Sequence, residues 1–351
     1  MPPTVNSRSQ LSPFLRNLLD HATRYASMVL IVALLFGMIL VISGKDPIQS
    51  YKDILTSTLG SPHGFSEVIV TMTPMLITAL AVALPSRIGL INVGGEGQLY
   101  MGACLATWGA LAFDDSPAWV LLPLMLLLGM LGGALWAFVP GYLKSLGLVN
   151  ETITTLLLNS VAPKIVAFFV FGFWHSPMDT NKTPNFVPAA RLPTFFGSRI
   201  DLSFILALLL LAIFWFVMKY TRWGLEMRAI GGNPQAAKRN GLPLNRYWVI
   251  VMCLGGAIAG LAGMAQVSGY YGVLLVNFSR GLGFMGFLVS WLSFGDPIGI
   301  LVTSFVVSII VTGGNLLQLT SGIPYAVINI LLAFTLFVVL ARPVVLKRKE
   351  A

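Results

Sequence analysis

The sequence predicts an all-α protein, a polytopic membrane helix bundle of about ten transmembrane segments, and three observations lead there. Hydrophobic residues make up 56% of the 351-residue chain and charged residues only 10%, where soluble proteins carry about 25% charge. Several apolar runs reach the ~20 residues that an α-helix needs to cross a hydrocarbon core. The clearest extends from Tyr25 to Gly44, with no charge between Arg24 and Lys45. These runs are apolar on all sides rather than alternating, which argues against a β-barrel.

In chain order the segments fall near 24–43, 67–85, 96–113, 119–143, 150–173, 201–219, 246–268, 281–295, 298–315 and 323–341. Arg8, Arg16 and Arg24 precede the first run as charges precede a signal peptide. That run is too long for a cleaved signal and lacks an A-x-A exit, so it reads as a retained anchor behind a cytoplasmic extension, 1–23. The segments 96–113 and 281–295 are short and glycine-bearing, so each is a candidate broken or re-entrant helix. The membrane domain is then 24–343, followed by a basic cytoplasmic tail, 344–351.

Charge tests this threading. With the N-terminus in the cytoplasm, 15 of the 22 basic residues fall inside, six outside, and only Lys164 within a segment. Cytoplasmic loops of membrane proteins collect Lys and Arg, so the bias supports both termini inside a bacterial-type cytoplasmic (inner) membrane. Eight crossings satisfy the same test if the two short segments are re-entrant. The net charge of +9 is explained in the same way and does not call for nucleic acid. Loops 44–66 and 174–200 lie outside; loop 220–245 lies inside.

A weak internal repeat is visible. Ile91-Asn92-Val93 leads to Tyr100-Met101-Gly102 and Trp108, as Val276-Asn277-Phe278 leads to Phe284-Met285-Gly286 and Trp291. Gly132-Gly133 is echoed by Gly313-Gly314, although the spacings differ between the copies, by one residue at places. The second copy would start on the opposite side of the membrane, an inverted repeat of the kind in which many transporters place their substrate path.

The cytoplasmic loop holds the strongest local signal, Arg222-Trp-Gly-Leu-Glu226 through Asn233-Pro234-Gln235-Ala236-Ala237 to Gly241. Asn233 suits an N-cap and Pro234 the first helical position. Gly241 suits a left-handed close. A helix this short is unstable alone in water, so it is expected to dock, either on its own bundle or on a partner. A tidy connecting turn is the plainer alternative.

Polar residues at membrane depth are the other candidates. Glu96 and Gln98 open a segment among Gly94, Gly95 and Gly97. An acidic residue there points to function, or to a cap on its own helix start. Asn92, Asn159, Asn277, Asn315 and Asn329 can bond a polyhydroxylated ligand or simply tie helices together. Phe168, Phe171, Trp174, Tyr270 and Tyr271 can stack on a ring or belt the lipid interface. Cys104 and Cys253 sit in apolar runs, and His21, His63 and His175 are scattered, so neither a disulfide nor a zinc site is expected.

At these residues a family resemblance emerges. The stretch from Arg222 to Gly241 resembles the coupling-helix motif of ATP-binding-cassette importer permeases that move simple sugars, nucleosides and branched-chain amino acids. Arg87-Ile-Gly-Leu-Ile-Asn92-Val-Gly-Gly-Glu96-Gly-Gln98 and Asn150-Glu151-Thr-Ile-Thr-Thr-Leu-Leu-Leu-Asn159 are similar to signatures of its nucleoside-type branch. The resemblance covers roughly residues 60–340. It implies a membrane path for a nucleoside or simple sugar, with ATP and Mg held by separate cytoplasmic ATPase subunits and no cofactor on this chain. It also implies an extracytoplasmic binding protein landing on 44–66 and 174–200, and a second permease subunit as heterodimer partner. The coupling residues it implies are Glu226, Asn233, Pro234, Ala236, Ala237 and Gly241; the substrate path would use Asn92, Glu96, Gln98, Asn159 and Asn277.

The residues agree that this chain is a transport subunit rather than an ATP-hydrolysing enzyme. There is no G-x-x-x-x-G-K-[ST] loop, since Gly44-Lys45 is followed by Asp46. A branched-chain amino acid cargo is the alternative within the family. An ion-coupled secondary transporter is the rival from another class, and it would need more mid-membrane ionisable groups than Glu96 and Lys164. A membrane enzyme would need a cluster of His, Asp or Glu facing one cavity.

Overall fold

The computed structural model describes residues 44–321, apart from 178 and 196, with residues 34, 37, 38, 40–42 and 330. The extension 1–23, nearly all of segment 24–43, segment 323–341, Asn329 and the tail lie outside the described residues. The chain falls into two compact units, one of Leu55–Gly313 and one of Met1–Ile54 with Gly314–Ala351.

In the second unit, helical residues around 40–42 end at Gly44, whose φ of +71° is the left-handed stop that glycine supplies without strain. The Lys45 N–H reaches the Leu40 carbonyl at 2.9 Å, closing the helix end. Asp46 then accepts the Ile48 N–H at 2.8 Å and starts helix α1, Pro47–Leu59. The sequence predicts an external loop, 44–66, here, and the structure forms a helix within it. Ser50, Ile54 and Thr58, one turn apart, are its buried stripe.

The unit of residues 55–313 holds α2 (Pro62–Ser86), α3 (Gly95–Ala112), α4 (Ala118–Ser145), α5 (Glu151–Phe171) and α6 (Leu202–Tyr220). It continues through α7 (Arg222–Gly232), α8 (Pro234–Arg239), α9 (Leu244–Ala265) and α10 (Leu282–Leu292), and into α11 (Pro297–Ser321). Among the described residues only isolated β-bridges accompany the helices. Among the described residues six helices are long and apolar enough to cross a membrane: α2, α4, α5, α6, α9 and α11. The eight expected segments between 67 and 315 each fall on a helix. At about 1.5 Å per residue, α10 is only about 17 Å long, well short of a bilayer core.

Burial sorts the spans into layers. The apolar window of α2 is 94% buried and that of α9 67%, whereas α4, α5 and α6 stand at 28%, 28% and 22%. α2, α3 and α9 are thus the centre. Glycine makes that centre tight. Gly129 and Gly133 of α4 face Gly256 and Gly260 of α9 so closely that a Cβ on Gly133, Gly256 or Gly260 would collide with the facing backbone. Small residues four apart on both helices allow this approach in a membrane, where packing replaces the hydrophobic effect.

At one end of the unit a strap crosses the bundle. After α9 the chain forms a π-helical turn, Gln266–Tyr271, and residues 181–192 lie along it. Thr183 N–H donates to Leu274 O at 3.1 Å, Phe186 N–H to Gly272 O at 2.9 Å, and Ser268 Oγ to Ala190 O at 2.6 Å. Arg199 pairs with Glu67 at 2.6 Å and lies 5.1 Å from the Tyr270 ring centroid. The stretch that the sequence predicts as the external loop 174–200 is therefore fastened to the bundle.

Candidate functional site

Two clusters carry the residues singled out from the sequence. The first is a buried junction between the turn 91–97, α5 and the start of α10. Along α5, Glu151, Thr155 and Asn159 recur every fourth residue and share one buried face. That spacing matches the extended chain that precedes α3. Glu151 Oε1 accepts the Ile91 N–H at 3.4 Å, and Thr155 Oγ1 accepts the Val93 N–H at 3.3 Å. Asn159 Oδ1 accepts the Gly97 N–H at 2.8 Å while its Nδ2 donates to Val93 O at 2.8 Å. Asn150 caps α5 by accepting the Thr152 N–H, and Lys144 pairs with Glu151 at 2.7 Å. The two sequence motifs are thus two halves of one joint.

Asn92 and Gln98 close the turn between them. Asn92 Nδ2 donates to Gln98 Oε1 at 3.1 Å, and Gln98 Nε2 returns to Asn92 Oδ1 at 3.0 Å. Asn92 Oδ1 also accepts the Gly94 N–H at 3.0 Å. Both side chains are fully buried and spend these polar groups on each other.

Glu96 reaches across to another helix. Its carboxylate accepts the Gly281 N–H at 3.2 Å and the Gly283 N–H at 2.7 Å. It therefore caps α10 rather than its own helix start, and an anion at that N-terminus is favoured by the exposed N–H groups and the helix dipole. Gly95 and Gly283 abut, and a Cβ on Gly283 would strike the Glu96 backbone. Tyr100 packs edge-on against Phe278 with centroids 4.7 Å apart. α3 and α10, the two short glycine-started segments of the sequence, thus meet start to start.

Asn277 is exposed and stands apart from these bonds, and Asn315 is also exposed. Phe168 and Phe171 are exposed; Trp174 stacks on Phe169 with centroids 4.8 Å apart. Tyr271 donates its hydroxyl to Phe278 O at 3.0 Å. Thr155 was missed as a site residue, although its position midway between Glu151 and Asn159 signals a shared face.

The second cluster surrounds α7 and α8. Thr221 accepts the Gly224 N–H at 3.1 Å and starts α7. Asn233 accepts the Ala236 N–H at 3.0 Å and starts α8, with Pro234 in its first turn. Gly241, at φ +84°, ends it, and the Leu242 N–H reaches Ala237 O at 3.1 Å. Both caps are those the sequence predicts. Ala237 is only 5% exposed and faces the bundle, so of the two alanines Ala236 is the open one. The outward side of α8 also carries Gln235, Lys238 and Arg239.

This corner is wired to the bundle. The Tyr247 hydroxyl of α9 donates to Glu226, and Arg228 donates to the Met218 carbonyl of α6. Gly231 lies against the Arg87 carbonyl at the end of α2, where a Cβ would collide. Arg87 itself donates to Gly295 O at 2.6 Å and lies 5.7 Å from the Phe214 ring centroid. Arg87 and Tyr247 had no role assigned from sequence. Among the described residues no group of three or more His, Cys, Asp or Glu is placed to hold a metal.

Comparisons with known proteins identify the family. The family model described as branched-chain amino acid transport system, permease component, matches residues 64–340. The glucose ABC transporter permease protein TsgB13 of Haloferax volcanii is 32% identical over 316 residues, covering 86% of this chain and 82% of that protein. The nucleoside ABC transporter permease protein NupB of Lactococcus lactis is 32% identical over 330 residues, covering 88% and 89%. The guanosine ABC transporter permease protein NupP of Bacillus subtilis is 31% identical over 324 residues, covering 89% and 92%. With the matched region spanning the described bundle, the chain belongs to the branched-chain amino acid transport system permease family, in the part that includes nucleoside and sugar ABC permeases.

Proposed function

We propose that this chain is the membrane-spanning subunit of an ATP-driven importer for a nucleoside or a simple sugar. The observation that carries the reading is the similarity to nucleoside, guanosine and glucose permeases over more than four-fifths of the chain. The energy source is a pair of cytoplasmic ATPase subunits that bind ATP and Mg, and their contact is the open side of α8 around Asn233, Ala236 and Gly241. A push on α8 reaches α9 through Glu226 and Tyr247 and α2 through Gly231 and Arg87, so the central helices move with the loop. An extracytoplasmic binding protein delivers cargo at the strapped end, and a second permease completes the path. The chain sits in a bacterial-type inner membrane with both termini cytoplasmic and about ten segments, counting 24–43 and 323–341.

Crossed packing supports an inverted repeat. Gly102 of α3 approaches Gly260 of α9, while Gly286 of α10 approaches Thr78 of α2. Each short helix thus seats a glycine, paired in the sequence repeat, against the long helix that precedes the other copy.

The test is uptake of radiolabelled nucleosides and sugars into vesicles containing the complete transporter. Uptake is expected to require ATP and to survive an ionophore. Uptake that persists after ATP depletion and collapses with the ionophore would establish a secondary transporter instead.

A further inference from the structure

α5 differs from its neighbours on the face it leaves uncovered. α4 and α6 are also poorly buried, and their exposed residues away from the helix ends are apolar: Leu127, Leu131 and Leu135 on α4, Leu208, Leu209 and Ile213 on α6. On α5 the exposed stripe runs Ile153, Leu157, Ser160, Lys164 and Phe168. Ser160 and Lys164 lie one turn apart and point the same way. Neither side chain has a hydrogen-bond or ion-pair partner among the described residues. Counting about 1.5 Å per residue, Ser160 sits about 14 Å from the Glu151 end and Lys164 about 10 Å from the Phe171 end. Pro163 contributes no N–H, so the helix bond to the Asn159 carbonyl is missing at the same level. A cation and a hydroxyl in one exposed patch are costly against hydrocarbon and are well solvated by water.

Resting on the transport reading above, we propose that this face of α5 borders the aqueous translocation path rather than lipid, with Ser160 and Lys164 as polar contacts for hydroxyl-bearing cargo. The opposite face of α5 holds the buried joint through Thr155 and Asn159. One helix would therefore present cargo contacts on one side and a structural tie to the turn before α3 on the other.

Single cysteines at Ser160, Lys164, Leu131 and Leu209, in the complete transporter with Cys104 and Cys253 replaced by alanine, test this with a charged, membrane-impermeant methanethiosulfonate. The reagent needs a thiolate, which forms in water and not in lipid, so positions 160 and 164 are expected to react at least about tenfold faster than 131 and 209. Transported nucleoside or sugar is expected to slow those two positions. Equal, slow reaction at all four places the face in lipid and overturns the proposal. Fast reaction in the chain expressed without its second permease that is absent from the complete transporter makes the face a protein interface and overturns it too. In the otherwise native chain, Lys164→Leu is expected to lower uptake at least about tenfold at unchanged thermal stability, with partial recovery in Lys164→Arg. Normal uptake in Lys164→Leu would overturn the proposal alone; ATP-independent, ionophore-sensitive uptake would overturn the importer reading while the labelling still reports where water runs.

Discussion

The Glu96 carboxylate in the first turn of α3 accepts the Gly283 N–H in the first turn of α10 at 2.7 Å. Two helix starts share one buried carboxyl group, which also accepts the Gly281 N–H. Glu96→Ala leaves both N–H groups without an acceptor, at a cost of about 1–3 kcal/mol each. Glu96→Gln keeps one acceptor oxygen and turns an NH2 toward a donor, so an intermediate loss is expected. Thermal unfolding of the detergent-purified chain measures both; a wild-type midpoint for the alanine variant would mean that the junction does not stabilise the fold.

Asn159 makes two bonds of opposite sense, and substitution separates them. Asn159→Asp keeps the acceptor for the Gly97 N–H but sets an oxygen against the Val93 carbonyl. Asn159→Leu loses both and is expected to be the less stable, by about 1–3 kcal/mol. Thr155→Val removes only the 3.3 Å contact to Val93 and is expected to be the mildest of the three. The order of the unfolding midpoints checks the scheme.

The two adjacent alanines of α8 are expected to fail differently. Ala236→Glu alters an open surface, so ATP-driven uptake should be lost with an unchanged melting temperature. Ala237→Glu forces an unpaired carboxylate into a buried position, costing several kcal/mol, and should lower the melting temperature first. Matching behaviour of the two variants would count against α8 as the coupling contact.

Asp201 caps α6 by accepting the Ser203 N–H at 2.8 Å, and burial pushes its carboxyl above the ordinary value of 3.8 despite the opposing bonds from Ser203. The folded protein therefore holds this proton more tightly than the unfolded chain. Stability from that source is present below 3.8 and lost as pH rises through the elevated folded value. Asp201→Asn keeps a capping oxygen without the charge. Its stability relative to wild type should rise across that window and then level off, as read from melting temperature against pH.

Much of the site was legible locally. Asn233, Pro234 and Gly241 mark the ends of α8 because caps and left-handed stops depend on a residue and its immediate neighbours. Asn92 and Gln98 were visible as polar residues in an apolar setting, but their pairing depends on a turn whose geometry Asn159 holds from 62 residues away. Glu96 reads as a cap in sequence, and it is one; that it caps α10 rather than α3 depends on a contact 187 residues long in sequence. Ala236 and Ala237 are chemically identical, and only the docking of α8 separates an open one from a buried one.

The membrane bundle, its helices between 67 and 315 and the caps of loop 220–245 could be read from the amino-acid sequence. Those follow from run length, hydropathy and residue-by-residue backbone preference, which act over one or two turns. Packing between distant segments sets which starts meet, which glycines touch, and that residues 181–192 are strapped to the π-turn of α9. It also turns Glu151, Thr155 and Asn159 toward the 91–97 turn, leaving Ser160 and Lys164 on the uncovered side. Those outcomes depend on satisfying buried N–H and C=O groups between distant segments, and no local preference specifies which partner does so.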